Sequence, residues 1–187
     1  VYEKWGKSDG TDRISRYFEN APENTTIFIT AGLLNPSTST EDLLDVNFYL
    51  PKNLIQGASK YNIKVVTFEK KKENLVDIQN SYIKSKRRLN DYVTEATAKN
   101  IPVLHLQLHT LYGIGEPSPF MFLGQILTAL RNNTAFRMTS GRQLREYHHL
   151  ADEAAAIRLI SNSSEFGVKS LNHGNPTTLK SLATAIF

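Results

Sequence analysis

The chain has 187 residues, of which 40% are hydrophobic and 21% charged, with Lys plus Arg 22 against Asp plus Glu 18 and a net charge of +4. This is an ordinary globular mixture whose mild positive balance suits a phosphate-bearing small molecule. It falls short of the concentrated field of a nucleic-acid binder. The absence of cysteine excludes disulfide scaffolds, thiolate metal sites and cysteine nucleophiles, and fits a reducing compartment; no apolar run approaches the roughly 20 residues that span a bilayer.

Val1–Glu23 reads as a polar segment, with one Gly6-Lys7 and one Asp9-Gly10. Strand-like runs follow at Thr26–Thr30, Lys64–Phe68 and Pro102–Leu108. The first two are nearly continuous apolar runs, as expected of strands covered on both faces. Between them, Ser39 and Asp42 have capping-box spacing ahead of Leu43, Val46, Leu50, Leu54 and Ala58, so a helix begins there. Pro51 inside this pattern predicts a kink or local break. A second helix is expected over about Ser81–Lys99, because Tyr82, Lys86, Leu89, Val93 and Ala96 fall at 4-3-4-3 spacing and share a face. Strands alternating with helices argue for βαβ units and a parallel sheet.

Downstream, Gly113–Pro119 reads as a loop, and about Phe120–Arg131 as an amphipathic helix with Phe120, Leu123, Ile126, Leu127 and Leu130 on its apolar side. Asp152–Ile160 and Thr178–Phe187 read as two more helices. The boundary between a sheet domain (1–113) and a smaller lobe (114–187) is placed near Gly113.

Tyr82 and Lys86 stand one helical turn apart on the inward stripe. A buried ammonium needs a partner. Beside a phenol it favours the phenolate, lowering the tyrosine pKa from about 10, so the pair suits proton transfer to or from a sugar hydroxyl. A plain core tyrosine with a solvated lysine would give the same letters.

The spelling Tyr82-Ile83-Lys84-Ser85-Lys86 resembles the Tyr-x-x-Ser-Lys of the extended short-chain dehydrogenase/reductase family, the nucleotide-sugar epimerases, dehydratases and reductases. The likeness runs from about Asn24 to Phe187. It includes Phe28–Gly32, Asp45-Val46-Asn47 with Asn53-Leu54-Ile55, Leu111-Tyr112-Gly113, Gly141–His149 with Asp152, and Asn175–Leu179. The resemblance implies an α/β Rossmann-type parallel sheet flanked by helices, with a smaller C-terminal substrate lobe. It implies NAD or NADP as cofactor and a nucleotide-linked sugar as substrate. The expected enzyme is a cytoplasmic homodimer, often serving surface-polysaccharide (O-antigen) synthesis, without nucleic-acid or membrane partners. Tyr82 would be the catalytic base and Lys86 its electrostatic partner and ribose ligand. Thr30, Ala31, Gly32 and Asn47 would lie on the cofactor side, with Asn47 supporting the lysine. Thr110, Gln143 and Arg145 would meet substrate, Arg145 through a phosphate, for which its planar fork is suited. A surface salt bridge of Arg145 with Glu146 or Asp152, and a structural amide at Asn47, are the plainer alternatives.

Three departures from the family pattern stand out. No glycine-rich dinucleotide turn precedes Thr26, and the last expected helix runs to Phe187 with no closing signal, which together predict that some fifty residues or more at the start, and a further segment at the end, lie outside this sequence. No hydroxyl stands just after the strand ahead of the Tyr-Lys helix, where Glu69-Lys70-Lys71-Lys72-Glu73 is found. Thr67 is the nearest candidate, and it could equally be a buried strand threonine; Lys70–Lys72 reads as a solvated loop. Thr110 occupies the place of a common asparagine, leaving fewer donors for substrate. A non-catalytic NAD(P)-binding module that keeps the fold is therefore the rival reading. No metal is expected: His105 and His109 on one strand would be about 13 Å apart, and His148 and His149 are adjacent and point differently.

Overall fold

The computed structural model describes residues 2–33, 38–71 and 81–187. The chain divides into two compact units, Val1–Gln107 with Leu159–Ser170, and Leu108–Arg158 with Leu171–Phe187. Among the described residues no helix is long and apolar enough to cross a membrane.

The first unit is a Rossmann-type α/β layer. Its strands are β1 (Thr26–Ile29), β2 (Lys64–Lys70) and β3 (Val103–Leu108), with a later strand, Gly167–Ser170, lying outside β3. Register is parallel between β1 and β2, from Thr26 opposite Lys64 to Ile29 opposite Thr67, and between β3 and the later strand, from Leu104 opposite Gly167 to Gln107 opposite Ser170. Strand β2 is closed on both faces, with Val65, Val66 and Thr67 at 1% exposure or less. The same expectation fails for β1, where Phe28 is 47% exposed, because β1 is the edge of this sheet.

The polar N-terminal segment is helical: α1 (Tyr2–Trp5) and α2 (Gly10–Tyr17). Only Gly10, Ile14 and Ser15 of α2 are buried, too thin a stripe to show in the sequence pattern. Ile14 sits against Gly57, where an added Cβ would stand 2.7 Å from its Cγ2. The Ser39 cap is as expected, its Oγ accepting the Asp42 N–H at 3.0 Å and donating to Asp42 Oδ2 at 2.7 Å. It opens α3 (Thr40–Leu44), a π-helical stretch (Asp45–Tyr49) and α4 (Leu50–Ser59). The π turn is the break predicted at Pro51. Proline offers no N–H to the carbonyl four residues back, and the Leu50 N–H instead reaches Asp45 O, five residues back. Leu50, Leu54 and Ala58 then pack inward beside Leu89, Val93 and Ala96 of α5 (Ser81–Ala98).

Three helices end alike. Asn62, Asn100 and Asn133 adopt φ of 54°, 57° and 50°. The next residue's N–H returns to the carbonyl of Ala58, Ala96 and Ala129 respectively, at 3.4, 3.1 and 2.9 Å. This is the left-handed C-terminal closure that asparagine tolerates after glycine.

In the second unit, β4 (Thr110–Tyr112) pairs in parallel with β6 (Tyr147–His149), while β5 (Leu144–Arg145) pairs antiparallel with β8 (Thr177–Thr178). The later strand of the first unit is β7. Helix α6 (Phe122–Arg131) buries Ile126 completely. Phe120, expected on its apolar side, is 89% exposed, because it belongs to the turn that ends with the Met121 N–H on Ser118 O. Helix α7 (Leu150–Ser161) leads back to the first unit, and α8 (Leu179–Ile186) is capped by Thr178, whose Oγ1 accepts the Ser181 N–H at 3.0 Å.

Candidate active site

At the C-terminal ends of β1 and β2 the first unit gathers most of the residues singled out in its sequence. Such strand ends are where open α/β sheets bind ligands. Thr30, Ala31 and Gly32 leave β1 exposed. Asn47, 1% exposed on the π turn, grips the next residue: its Oδ1 accepts the Leu33 N–H at 2.9 Å and its Nδ2 donates to Leu33 O at 3.1 Å. The same Nδ2 reaches Ser85 Oγ at 3.4 Å, and Ser85 donates to Tyr82 O at 2.7 Å. One amide thus couples the loop after β1 to the first turns of α5. A Cβ added at Gly32 would stand 3.7 Å from Asn47 Oδ1 and 3.9 Å from Lys86 Nζ. Lys86 is only 9% exposed, so its ammonium is held at this loop rather than in bulk solvent.

Tyr82 is half-buried on the same helix. Its pKa is raised above the ordinary phenol value, first by burial and then by the charge of Glu69. This corrects the expectation that Lys86 would lower it: in the chain alone, desolvation and a neighbouring carboxylate dominate. Glu69, at the place where a hydroxyl was sought, points inward. Its Oε1 accepts from Gln107 Nε2 at 3.3 Å, and its Oε2 lies 3.4 Å from His105 Nε2.

Thr67 is 1% exposed, and its Oγ1 lies 2.6 Å from Nδ1 of the fully buried His105. It therefore takes the alternative place foreseen for it, a buried strand threonine with its hydroxyl engaged. Lys70 ends β2 exposed. Lys72 and Glu73, and Asn80 ahead of α5, lie outside the described residues.

The other expected residues belong to the second unit. Thr110 opens β4, its N–H on Glu146 O at 3.2 Å. Gln143 is exposed, with Nε2 3.5 Å from Thr139 Oγ1. Arg145 on β5 is half-buried and donates from Nη1 to Leu144 O at 2.8 Å. Its neighbour Glu146 turns inward onto His148 and the backbone. An open, largely apolar cavity of about 430 Å³ lies in this unit, lined by Tyr112, Ile114, Leu123, Leu127, Leu150 and Ile186 among others.

Residues 5–174 match the family described as NAD dependent epimerase/dehydratase. The chain belongs to this family. No curated protein matches it. Its fold is shared with the NAD complex of the enzyme WbmG from Bordetella bronchiseptica (TM-score 0.72, 16% identity, 94% of this chain, 59% of that one). It is likewise shared with the NAD complex of dTDP-glucose 4,6-dehydratase from Bacillus anthracis (0.72, 15%, 95%, 60%), and with MoeE5 bound to UDP-glucose and NAD (0.69, 20%, 92%, 64%). The chain thus spans about three fifths of the length of these proteins.

Two groupings in this family member were not foreseen. One is the buried line Thr67–His105–Glu69; the strand alternation of residues 67 and 69 was the available signal. The other joins Glu146, His148, Glu153 and His173 in the second unit. His173 joins this cluster from 20 residues beyond Glu153, a separation that no local spacing signals.

Proposed function

We propose that the chain carries the proton-transfer half of an NAD(P)-dependent epimerase, dehydratase or reductase acting on a nucleotide-linked sugar. The observation that carries this is the convergence on one loop of Gly32, Asn47 and Lys86, with Tyr82 one turn before the lysine. The residues fit the ribose end of a nicotinamide cofactor. Gly32 offers an open, exposed backbone, and Lys86 brings a buried ammonium that would donate to ribose hydroxyls. Asn47 fixes the loop that would lie along the ring. Three solved structures of this fold hold NAD, one of them with UDP-glucose.

When bound, the cofactor supplies the hydride donor or acceptor. In the reductive direction Tyr82 Oη would give its proton to the sugar carbonyl oxygen, and in the oxidative direction the tyrosinate would take the proton of the sugar hydroxyl. A phenol held protonated by burial and Glu69 suits the reductive direction. Arg145 would hold a substrate phosphate, with Gln143 and Thr110 toward the sugar. The reading carries with it a cytoplasmic homodimer serving surface-polysaccharide synthesis.

The second reading, a binding module without turnover, is favoured by one observation: Glu69 occupies the strand end where a hydroxyl would assist, and the Thr67 hydroxyl is turned onto His105. Reduced-nicotinamide absorbance with NAD or NADP and a panel of nucleotide sugars separates the two. Turnover that falls by about 10²–10⁴ in Tyr82→Phe supports the enzyme. Unchanged turnover in that variant rejects Tyr82 as the proton carrier, and cofactor binding without any turnover supports the module.

A further inference from the structure

Three histidines and two glutamates of the second unit lie together, all of them buried except His173. His148, 8% exposed on β6, faces a carboxylate with each ring nitrogen: Nδ1 lies 2.6 Å from Glu153 Oε2, and Nε2 lies 3.1 Å from Glu146 Oε2. A neutral imidazole has a single N–H, so only one of these contacts is an ordinary hydrogen bond. The other needs a positive charge between nitrogen and carboxylate, either a second proton or a metal cation. Glu146 is itself fixed, accepting the N–H groups of His173 and Gly174 at 3.1 and 3.2 Å. That bond brings the His173 ring to 4.8 Å from the His148 ring, centroid to centroid. His109 also stacks on His148, at 5.2 Å, with Nε2 3.7 Å from Glu146 Oε2.

We propose that Glu146, His148 and His173 bind a divalent transition-metal ion of the zinc class, with Glu153 orienting His148 from behind. One donor atom from each of the three residues falls within 4.8 Å of the others. Bonds of about 2.0–2.2 Å in a tetrahedral site ask for donors roughly 3.3–3.6 Å apart, so the cluster must tighten by about 1 Å. The exposed His173 can supply that movement and gives the ion a way in; its Nδ1 accepts the Asn175 N–H at 3.0 Å, a bond that ligation there would replace. The carboxylate on Nδ1 of His148 leaves the Nε2 lone pair for the metal, the arrangement common behind ligating histidines. Two imidazoles and one carboxylate select zinc, cobalt, nickel or copper over magnesium or calcium, which prefer all-oxygen shells. Three protein donors leave a fourth position for water or another ligand, and His109 Nε2 lies 3.7 Å from Glu146 Oε2. The ion would tie β6 to the segment 171–174 and so hold the later part of the unit in place. This proposal is independent of hydride transfer.

The test uses the tag-free 187-residue chain stripped with EDTA and titrated with CoCl2. One equivalent should bind saturably with the strong visible absorption of four- or five-coordinate cobalt, and ZnCl2 should displace it. His173→Ala, a surface change, should weaken binding tenfold or more, and Glu146→Gln likewise. His149→Ala, next along β6 but outside the donor set, should bind as the wild type does. If Glu146→Gln does not fold, His173→Ala carries the comparison. Absence of saturable cobalt binding would leave a second proton as the occupant and overturn the proposal. Equal affinity in His173→Ala would also overturn it.

Discussion

Asn47→Ala isolates the amide that joins the loop after β1 to α5. The wild-type side chain is 1% exposed and makes two good hydrogen bonds to Leu33, at 2.9 and 3.1 Å, and a long one to Ser85 Oγ at 3.4 Å. Leu33 is half-buried, so its freed N–H and C=O regain water only in part. Each of the two good bonds contributes about 0.5–1.5 kcal/mol, and an unpaired group left buried costs about 1–3. The sum, weighting Leu33 as partly rehydrated, is about 2–3 kcal/mol of lost stability. For a chain of this length that lowers Tm by about 4–12 °C. Urea unfolding followed by far-ultraviolet circular dichroism measures the free energy, and a thermal scan checks Tm. A variant within about 0.5 kcal/mol of wild type, the range of ordinary surface changes, would refute the view that Asn47 organises this loop.

Tyr82 should release its proton above the ordinary phenol range of about pH 10. With a folded pKa above the unfolded one, its contribution to stability is complete below the unfolded value and is lost as pH rises through the folded one. Glu69→Gln removes one of the two raising causes and leaves burial, the larger. The phenolate absorbance of wild type minus Tyr82→Phe should therefore titrate at lower pH in the Glu69→Gln background, and a midpoint that stays or rises contradicts the assignment. Thr67→Val keeps the shape of a fully enclosed residue but strips the partner from His105 Nδ1, 2.6 Å away. It should cost about 1–3 kcal/mol in urea unfolding while leaving the chemical step intact; a variant that loses turnover but not stability would make Thr67 the missing catalytic hydroxyl after all.

Local structure was legible where a backbone preference links neighbouring residues. Ser39 and Asp42 sit three apart and cap as read. Pro51 lacks an N–H and imposes the π turn. The Tyr82 to Ala96 spacing put Lys86 on the inward face, and strands alternating with helices implied the parallel sheet. The asparagines that close three helices are equally local but give no distinct signal, since asparagine alone also suits a loop. The α2 helix was hidden because one buried isoleucine against Gly57 makes no periodic signal.

What the residue order determined by itself is the strands β1 to β3, the helices from α3 onward, the family, and which face of α5 looks inward, since these follow from dihedral preference and spacing within a few residues. Only the tertiary structure decided the electrostatics of Tyr82, the engagement of Thr67 and the meeting of Glu146, His148 and His173. Each depends on burial, and on charges brought within a few ångströms by chain segments distant in sequence. Coulomb and desolvation energies depend on separation in space and on the surrounding medium, and neither is written along the chain.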